Sequence, residues 1–133
     1  MSAIELAYVG DAVYELFIRS FFVARFGDKI EDMHNRSVRL VKAETQAEML
    51  KVILDADILE KEERQIVRRG RNAKSGQVPK STSVFDYRYS TAFESLIGFL
   101  YLDGRYKRLN DIFSLLEDRI LKLGEDSNEG GAN

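Results

Sequence analysis

Apolar residues recur at helical spacing along most of the chain, and no stretch of useful length alternates between apolar and polar positions. The pattern predicts six helices, at residues 4–25, 32–42, 45–54, 61–71, 89–102 and 107–123. Gly27 and Gly124 follow the first and the last of these, as is typical of helix C-termini. Thr45 and Glu48 have the spacing of a capping box at the start of the third helix. The sequence therefore predicts an all-α fold.

The length and composition fit one domain followed by a short tail. A chain of 133 residues can bury a substantial core. Residues 125–133 are acidic, small and rich in glycine, which predicts a disordered tail after a domain at 1–124. Residues 72–86 contain the only proline and have no apolar period, so we expect a long loop there.

Several classes of protein are disfavoured by what the sequence lacks. No run approaches the roughly 18 apolar residues of a membrane span, and the start does not have the pattern of a signal peptide. There is no cysteine, so disulfide frameworks and thiolate sites are excluded. A single histidine, His34, leaves no histidine-based triad. We expect a cytoplasmic protein that does not associate with membranes.

The first predicted helix is apolar on nearly every face, so it is expected to be buried. One small domain cannot cover this many faces, so we expect a two-fold homodimer that buries part of the helix. Gly10 and Asp11 interrupt this apolar run. Glycine inside a helix costs about 1 kcal/mol relative to alanine, and a buried carboxylate costs several kcal/mol unless it is paired or binds a metal. Two penalties side by side indicate a functional site, although Asp11 paired with a basic residue and Gly10 in close helix packing would also explain them.

The fifth predicted helix repeats this anomaly. It is apolar almost all round, Glu94 is the only charge within 91–102, and Gly98 follows one turn later. If the first and fifth helices pack together, their glycines allow close approach and Asp11 and Glu94 converge. Two carboxylates are a typical beginning of a Mg²⁺ site, and a metal between them suits phosphodiester hydrolysis. The alternative is that Glu94 forms an ion pair with Arg19 or Arg88.

Charge is unevenly distributed, although the net charge of the chain is only −2. Residues 64–88 hold seven basic residues and one acidic residue, a net charge of +6. Such a cluster, with glycine, serine and threonine in a long loop, is a reasonable surface for phosphates. A solvated loop with a chance excess of arginine remains the alternative. The candidate contacts to RNA are Arg69, Arg71, Asn72, Lys74, Lys80 and Arg88.

These motifs resemble a known family. Tyr-Val-Gly-Asp-Ala-Val at 8–13 and the stretch at 92–104 are similar to the two signature helices of the ribonuclease III catalytic domain, and 40–48 resembles the segment between them. The stretches at 69–76 and 87–91, with no double-stranded-RNA-binding domain, resemble the Mini-ribonuclease III subgroup. The resemblance implies an all-helical homodimer that cleaves double-stranded RNA with Mg²⁺ and without an organic cofactor, in the maturation of large-subunit (23S) ribosomal RNA.

The resemblance assigns roles to individual residues. Asp11 and Glu94 match the two metal-binding catalytic carboxylates of the family. The wider family has further carboxylates where this chain has Ala7 and Thr91, so fewer protein oxygens remain for the metal. Thr91, and Glu15 one turn after Asp11, are candidates for an outer shell around the metal. Glu31 and Asp32 align only loosely with another family carboxylate.

Two interpretations from other classes compete with an endoribonuclease. One is a non-catalytic module that binds RNA or the ribosome, and the other is a helical interaction domain without a nucleic-acid role. A dependence of RNA cleavage on Mg²⁺ separates the enzyme from the binding module. The contribution of the basic segment to RNA affinity separates the binding module from the interaction domain.

Overall fold

A computed structural model of the chain describes residues 1–27, 29–73 and 78–125 in full and the backbone of 126–132. Its six helices are α1 (Ala3–Arg25), α2 (Ile30–Leu40), α3 (Ala43–Asp55), α4 (Lys61–Asn72), α5 (Val84–Leu102) and α6 (Tyr106–Ala132). No strand occurs in the described part of the chain, which confirms the predicted all-α fold. None of the described helices is long and apolar enough to cross a membrane.

Helix α5 lies at the centre of the molecule and packs against α1, α3 and α4. This position explains why its sequence is apolar almost all round. Residues are buried on opposite faces of the helix: Phe93, Leu96, Ile97 and Leu100 on one face, and Thr91, Ser95 and Gly98 on the other. A helix with neighbours on three sides has little surface left in contact with water, so a charged residue on it is unusual.

Helices α1 and α5 cross with their backbones in contact, and a glycine from each helix makes this possible. A Cβ atom added to Gly10 would lie 1.8 Å from the backbone oxygen of Glu94, and one added to Gly98 would lie 1.9 Å from that of Leu6. No side chain larger than hydrogen fits at either position. The close approach predicted from the two glycines is therefore confirmed.

Two buried polar contacts join further pairs of helices, α1 with α2 and α4 with α6. The Tyr14 hydroxyl on α1 donates to the Leu40 carbonyl at the end of α2, at 2.9 Å. Glu63 on α4 is fully buried and forms an ion pair with Arg108 on α6, at 2.6 Å. Burial opposes ionisation of Glu63, but the bonds to Arg108 outweigh it and hold the pKa of the Glu63 carboxyl below its usual value.

Helix α5 begins earlier than the apolar pattern predicts, at Val84 instead of residue 89. Ser83 is the N-cap, and its hydroxyl accepts a hydrogen bond from the backbone N–H of Asp86 at 3.0 Å. The first turn carries exposed Val84 and Phe85, so it contributes little to the buried stripe that periodicity detects. The end of the predicted loop 72–86 is thus helical.

The predicted end of the last helix at Gly124 is wrong, because α6 continues to Ala132. Gly124 is buried inside the helix instead, and a Cβ atom there would lie 3.1 Å from the Phe22 ring. This glycine serves close packing, which a sequence pattern does not distinguish from a C-terminal cap. The side chains of 126–132 and all of Asn133 lie outside the described residues, and the disordered tail at 125–133 stays a prediction.

The predicted capping box at Thr45 and Glu48 is also wrong. Helix α3 begins at Ala43, and the Thr45 hydroxyl donates to the Arg39 carbonyl at 2.8 Å. Glu48 forms an ion pair with Arg119 on α6, at 3.0 Å. Both side chains therefore bond to partners outside the local motif.

Candidate active site

The carboxylate of Asp11 lies at the crossing of α1 and α5, on the residue after Gly10. Asp11 is exposed, which corrects the expectation, drawn from the apolar run around it, that it is a buried carboxylate. Asp11 lies on the same side of α1 as the buried residues Gly10 and Ile18, the side that faces α5, but its own side chain reaches solvent. An exposed Asp11 has no desolvation cost to offset, so it can take up a cation from solution.

The Glu94 carboxyl comes from the other helix and meets Asp11. Burial raises the pKa of the Glu94 carboxyl to about 8, and a hydrogen bond with Asp11 and the negative charge of Asp11 add to this rise. The predicted convergence of the two side chains is confirmed. Their proximity follows from the glycine crossing, because the Glu94 backbone itself touches Gly10.

The predicted alternative, an ion pair between Glu94 and an arginine, is absent from the described residues. Arg19 forms its ion pair with Glu15 at 2.6 Å. An arginine at Glu94 would lower the pKa of its carboxyl, whereas that pKa is raised. The two acidic groups thus face each other without a compensating arginine. A divalent cation between them would remove the repulsion between their negative charges.

The residues predicted for an outer shell around the metal have other partners or lie elsewhere, unlike Asp11 and Glu94. Glu15 lies one turn after Asp11 but is engaged with Arg19. Thr91 is buried one turn before Glu94, and its hydroxyl donates to the Tyr87 carbonyl at 3.0 Å. Glu31 and Asp32 are exposed in the first turn of α2. Within the described residues, no group of three or more acidic, histidine or cysteine side chains forms a ready metal cluster.

One residue of the site, Gln46 on α3, was not among the sequence candidates. It is only 2% exposed, and its side chain acts on Glu94 as a hydrogen-bond donor that lowers the pKa of that carboxyl. A signal for it exists in the sequence. Gln46 occupies the apolar stripe of α3 that continues through Leu50 and Ile53, where an uncharged polar side chain is unexpected.

The basic end of α4 lies next to the helix that carries Glu94. Gly70 packs so closely on α5 that an added Cβ atom would lie 2.7 Å from the Ala92 Cα. Arg69 and Arg71 flank this glycine, and the Arg69 guanidinium donates to the Met1 carbonyl at 2.9 Å, beside the start of α1. Ala92 is two residues before Glu94 and therefore lies on a different face of α5, so the contact at Gly70 does not by itself bring these arginines to the two carboxylates.

The structure describes three of the four other residues predicted to contact RNA. Asn72 at the end of α4, Lys80 and Arg88 are exposed. Lys74 and the beginning of the loop, 74–77, lie outside the described residues. The described part of the basic segment is thus accessible to a ligand.

The raised pKa of Glu94 predicts how the stability of the metal-free protein depends on pH. The folded protein binds the proton of Glu94 more tightly than the unfolded chain does. The free energy of unfolding therefore decreases as pH rises from about 4.5 to about 8. We expect Glu94→Gln, which cannot ionise, to gain stability relative to wild type across this range. Urea unfolding in EDTA at pH 5, 6.5 and 8 measures the difference. A difference that is independent of pH would contradict the assigned environment.

Comparisons with known proteins define the class. A sequence model described as Ribonuclease III domain matches residues 4–105. The crystal structure of a Fusobacterium nucleatum protein superposes with a TM-score of 0.79 at 31% identity, covering 89% of this chain and 93% of that one. The fold and the sequence thus define a ribonuclease III catalytic domain, and the chain is an endoribonuclease.

Curated relatives narrow the class further. A Mini-ribonuclease 3 from Thermoanaerobacter sp. is 48% identical over 115 residues, which cover 86% of this chain and 80% of the relative. A Mini-ribonuclease 3 from Desulfitobacterium hafniense is 40% identical over 130 residues, which cover 98% and 81%. The chain belongs to the Mini-ribonuclease 3 branch of the ribonuclease III family.

Proposed function

We propose that the protein is a Mg²⁺-dependent endonuclease of double-stranded RNA, with Asp11 and Glu94 as its catalytic carboxylates. The observation that carries this proposal is the meeting of these two side chains at the glycine crossing, where the described residues include no arginine that would neutralise them. A structural ion pair would include a base. Two carboxylates on rigid, closely packed helices instead form an anionic site whose geometry does not depend on a flexible loop.

The residues present fit a hard divalent cation. Asp11 and Glu94 supply carboxylate oxygens, which Mg²⁺ prefers, and the cation would compete with the proton that raises the pKa of Glu94. When bound, Mg²⁺ supplies a nucleophilic water and stabilises the charge that develops on phosphate. The two carboxylates hold the cation, and the packed backbones of α1 and α5 fix their separation.

The basic segment supports binding of the RNA backbone. Arg69 and Arg71 lie beside α5, and exposed Lys80 and Arg88 extend the positive surface. Basic side chains that contact phosphates read the shape of a duplex more than its sequence. The carboxylates alone would repel RNA, so a basic border is what an RNA substrate requires.

A triple substitution tests this surface. We expect Arg69→Ala/Arg71→Ala/Lys74→Ala to weaken binding of duplex RNA and to lower the slope of log affinity against log salt by about one for each phosphate that the variant no longer binds. Binding is measured in EDTA, which prevents cleavage, at several salt concentrations. A matched variant, Lys51→Ala/Lys107→Ala/Lys122→Ala, removes three charges elsewhere and should bind nearly as wild type does. Equal affinity and salt slope in both variants would remove the basic segment from the RNA interface.

We also propose that two chains assemble through the exposed face of α1. Tyr8 is 83% exposed and Leu16 is 67% exposed, with Ala12 exposed one turn from each, so they form an apolar stripe. A stripe of this kind on a soluble chain favours an interface, and a two-fold pair would bury the same stripe from both chains. Asp11 lies beside it, which would bring the two sites of a dimer toward one duplex.

Sedimentation tests the assembly. We expect a particle of two chains at micromolar concentration for wild type, and a monomer for Leu16→Glu, because a carboxylate would be buried in the interface. Leu54→Glu is the matched control, since Leu54 is 38% exposed on α3, which does not pack against α1. A wild-type monomer, or dissociation by both substitutions, would contradict the proposed interface.

The cellular substrate we propose is the precursor of large-subunit (23S) ribosomal RNA, in the cytoplasm. The support is the family membership of the chain together with its duplex-binding features. In cells that lack the protein, we expect the ends of 23S RNA to remain extended. Wild type restores them and Asp11→Asn does not. Mature ends in the deletion strain would assign the enzyme another RNA.

A further inference from the structure

The side chain of Gln46 lies in the core with one half of its hydrogen-bonding capacity unused. Gln46 is 2% exposed, and its Nε2 donates to the Val41 carbonyl at 3.0 Å. Its Oε1 is buried and has no hydrogen-bond partner within the described residues. Most buried polar atoms in proteins do find a partner, so an orphaned acceptor requires an explanation.

The orientation of the carboxamide is fixed by its neighbours. A carbonyl oxygen accepts and does not donate, so the atom next to the Val41 carbonyl must be the nitrogen. A rotated amide would place two acceptors against each other. The Oε1 atom is therefore the one without a partner, and rotation of the amide does not remove the problem.

The location of Gln46 connects this oxygen with the active site. Its side chain acts on Glu94 as a donor, and Glu94 in turn contacts Asp11. The oxygen and the nitrogen of the carboxamide are bonded to the same carbon, so Oε1 lies next to the group that contacts Glu94. The described residues offer no third carboxylate at this site, whereas a divalent cation such as Mg²⁺ takes about six oxygens.

We propose that Gln46 is a metal-site residue, whose nitrogen holds the Glu94 carboxylate while its Oε1 supplies the third protein oxygen toward the divalent cation. The inference rests on the proposed function, since it needs the metal at Asp11 and Glu94. It explains why a polar side chain occupies the apolar stripe of α3, and why its oxygen has no partner among the residues that the structure describes. The cation, directly or through one water of its hydration shell, is the missing partner.

Metal binding without RNA tests the proposal. Mn²⁺, which prefers the same oxygen ligands as Mg²⁺, is titrated into RNA-free protein by calorimetry. We expect Gln46→Leu, which keeps the size of the side chain but removes its polar atoms, to raise the Kd for Mn²⁺ by about 10- to 100-fold. Gln46→Glu, which keeps an oxygen and adds charge, should bind Mn²⁺ at least as tightly as wild type does.

A matched control separates metal binding from the stability of the helix. Thr45→Val removes the hydrogen bond to the Arg39 carbonyl in the same turn of α3 but no group at the carboxylates. Its Kd for Mn²⁺ should equal that of wild type. If Gln46→Leu does not fold, Gln46→Asn takes its place, because it retracts the oxygen by one methylene, and the same weakening is expected.

The outcomes distinguish this inference from the proposed function. Wild type that binds Mn²⁺, with Asp11→Asn weakened and Gln46→Leu unchanged within twofold, would overturn the role of Gln46 alone. Equal weakening by Gln46→Leu and Gln46→Glu would also overturn it, because an oxygen would then not suffice. Wild type that binds no Mn²⁺ would overturn both the role of Gln46 and the proposed metal site.

Discussion

Asp11→Asn is expected to abolish cleavage of duplex RNA while RNA binding is retained. Asparagine has the size of aspartate but lacks the negative charge that a hard cation requires. Several kcal/mol of charge stabilisation disappear with the cation, so we expect the cleavage rate to fall at least about a thousandfold. Glu94→Gln should have the same effect. Single-turnover cleavage and equilibrium binding of one labelled duplex measure the two properties separately.

Neighbouring residues supply the controls for this prediction. Glu15→Gln removes a carboxylate one turn from Asp11 that is already paired with Arg19, and Thr91→Ala removes a hydroxyl bonded to the Tyr87 carbonyl. Both should reduce cleavage less than Asp11→Asn does. Cleavage at the wild-type rate by Asp11→Asn would eliminate Asp11 as a catalytic residue.

Gly10→Ala is expected to destabilise the fold severely. The new methyl group would lie 1.8 Å from the Glu94 backbone oxygen, and backbone atoms inside a packed helix pair have little room to move. The helices must separate, which we expect to cost at least about 3 kcal/mol. A domain of this size has a total stability of about 5–15 kcal/mol, so much of it would disappear. Gly98→Ala should lower the stability by a similar amount.

Gly124→Ala is the matched control, measured with the same urea denaturation. Its methyl group would meet the ring of Phe22 at 3.1 Å, which is a side chain and can shift. Alanine also favours a helix over glycine by about 1 kcal/mol, so the net change should be small. Similar midpoints for Gly10→Ala and Gly124→Ala would show that the crossing tolerates a side chain and is not what brings Asp11 and Glu94 together.

The convergence of Asp11 and Glu94 was predictable because it depends on local exceptions in the sequence. Each carboxylate interrupts an apolar helix, and each helix has a glycine within one turn of it. Glycines at a helix crossing permit backbone contact, and backbone contact brings nearby side chains together. The number of helices was predictable for a related reason, since each has a periodic apolar stripe.

The details that the sequence did not predict depend on contacts outside the local motifs. Gln46 stands out in the sequence as a polar residue in the apolar stripe of α3, but its place at the site depends on the packing of α3 on α5, which no local pattern predicts. Thr45 and Glu48 have the spacing of a cap, but Arg39 and Arg119 are their partners in the fold. Gly124 resembles a terminator and instead packs on Phe22 from inside α6.

The exposed apolar residues of α1 agree with the expectation that one small domain cannot cover every apolar face of this helix. Apolar periodicity indicates that a face will be buried but does not say by what, and within one chain Tyr8 and Leu16 remain exposed. The apolar residues that led to the expectation of a buried helix are the ones that we propose to form the dimer interface.

The central claim is that these two carboxylates form a metal-dependent site for RNA cleavage. The most direct measurement incubates purified protein with an internally labelled RNA duplex, with Mg²⁺ or with EDTA, beside the single strands of the same duplex. We predict discrete fragments from the duplex with Mg²⁺ only, and intact single strands under both conditions. An intact duplex in Mg²⁺, or equal cleavage in EDTA, would contradict the assignment of Asp11 and Glu94 to a metal-dependent site.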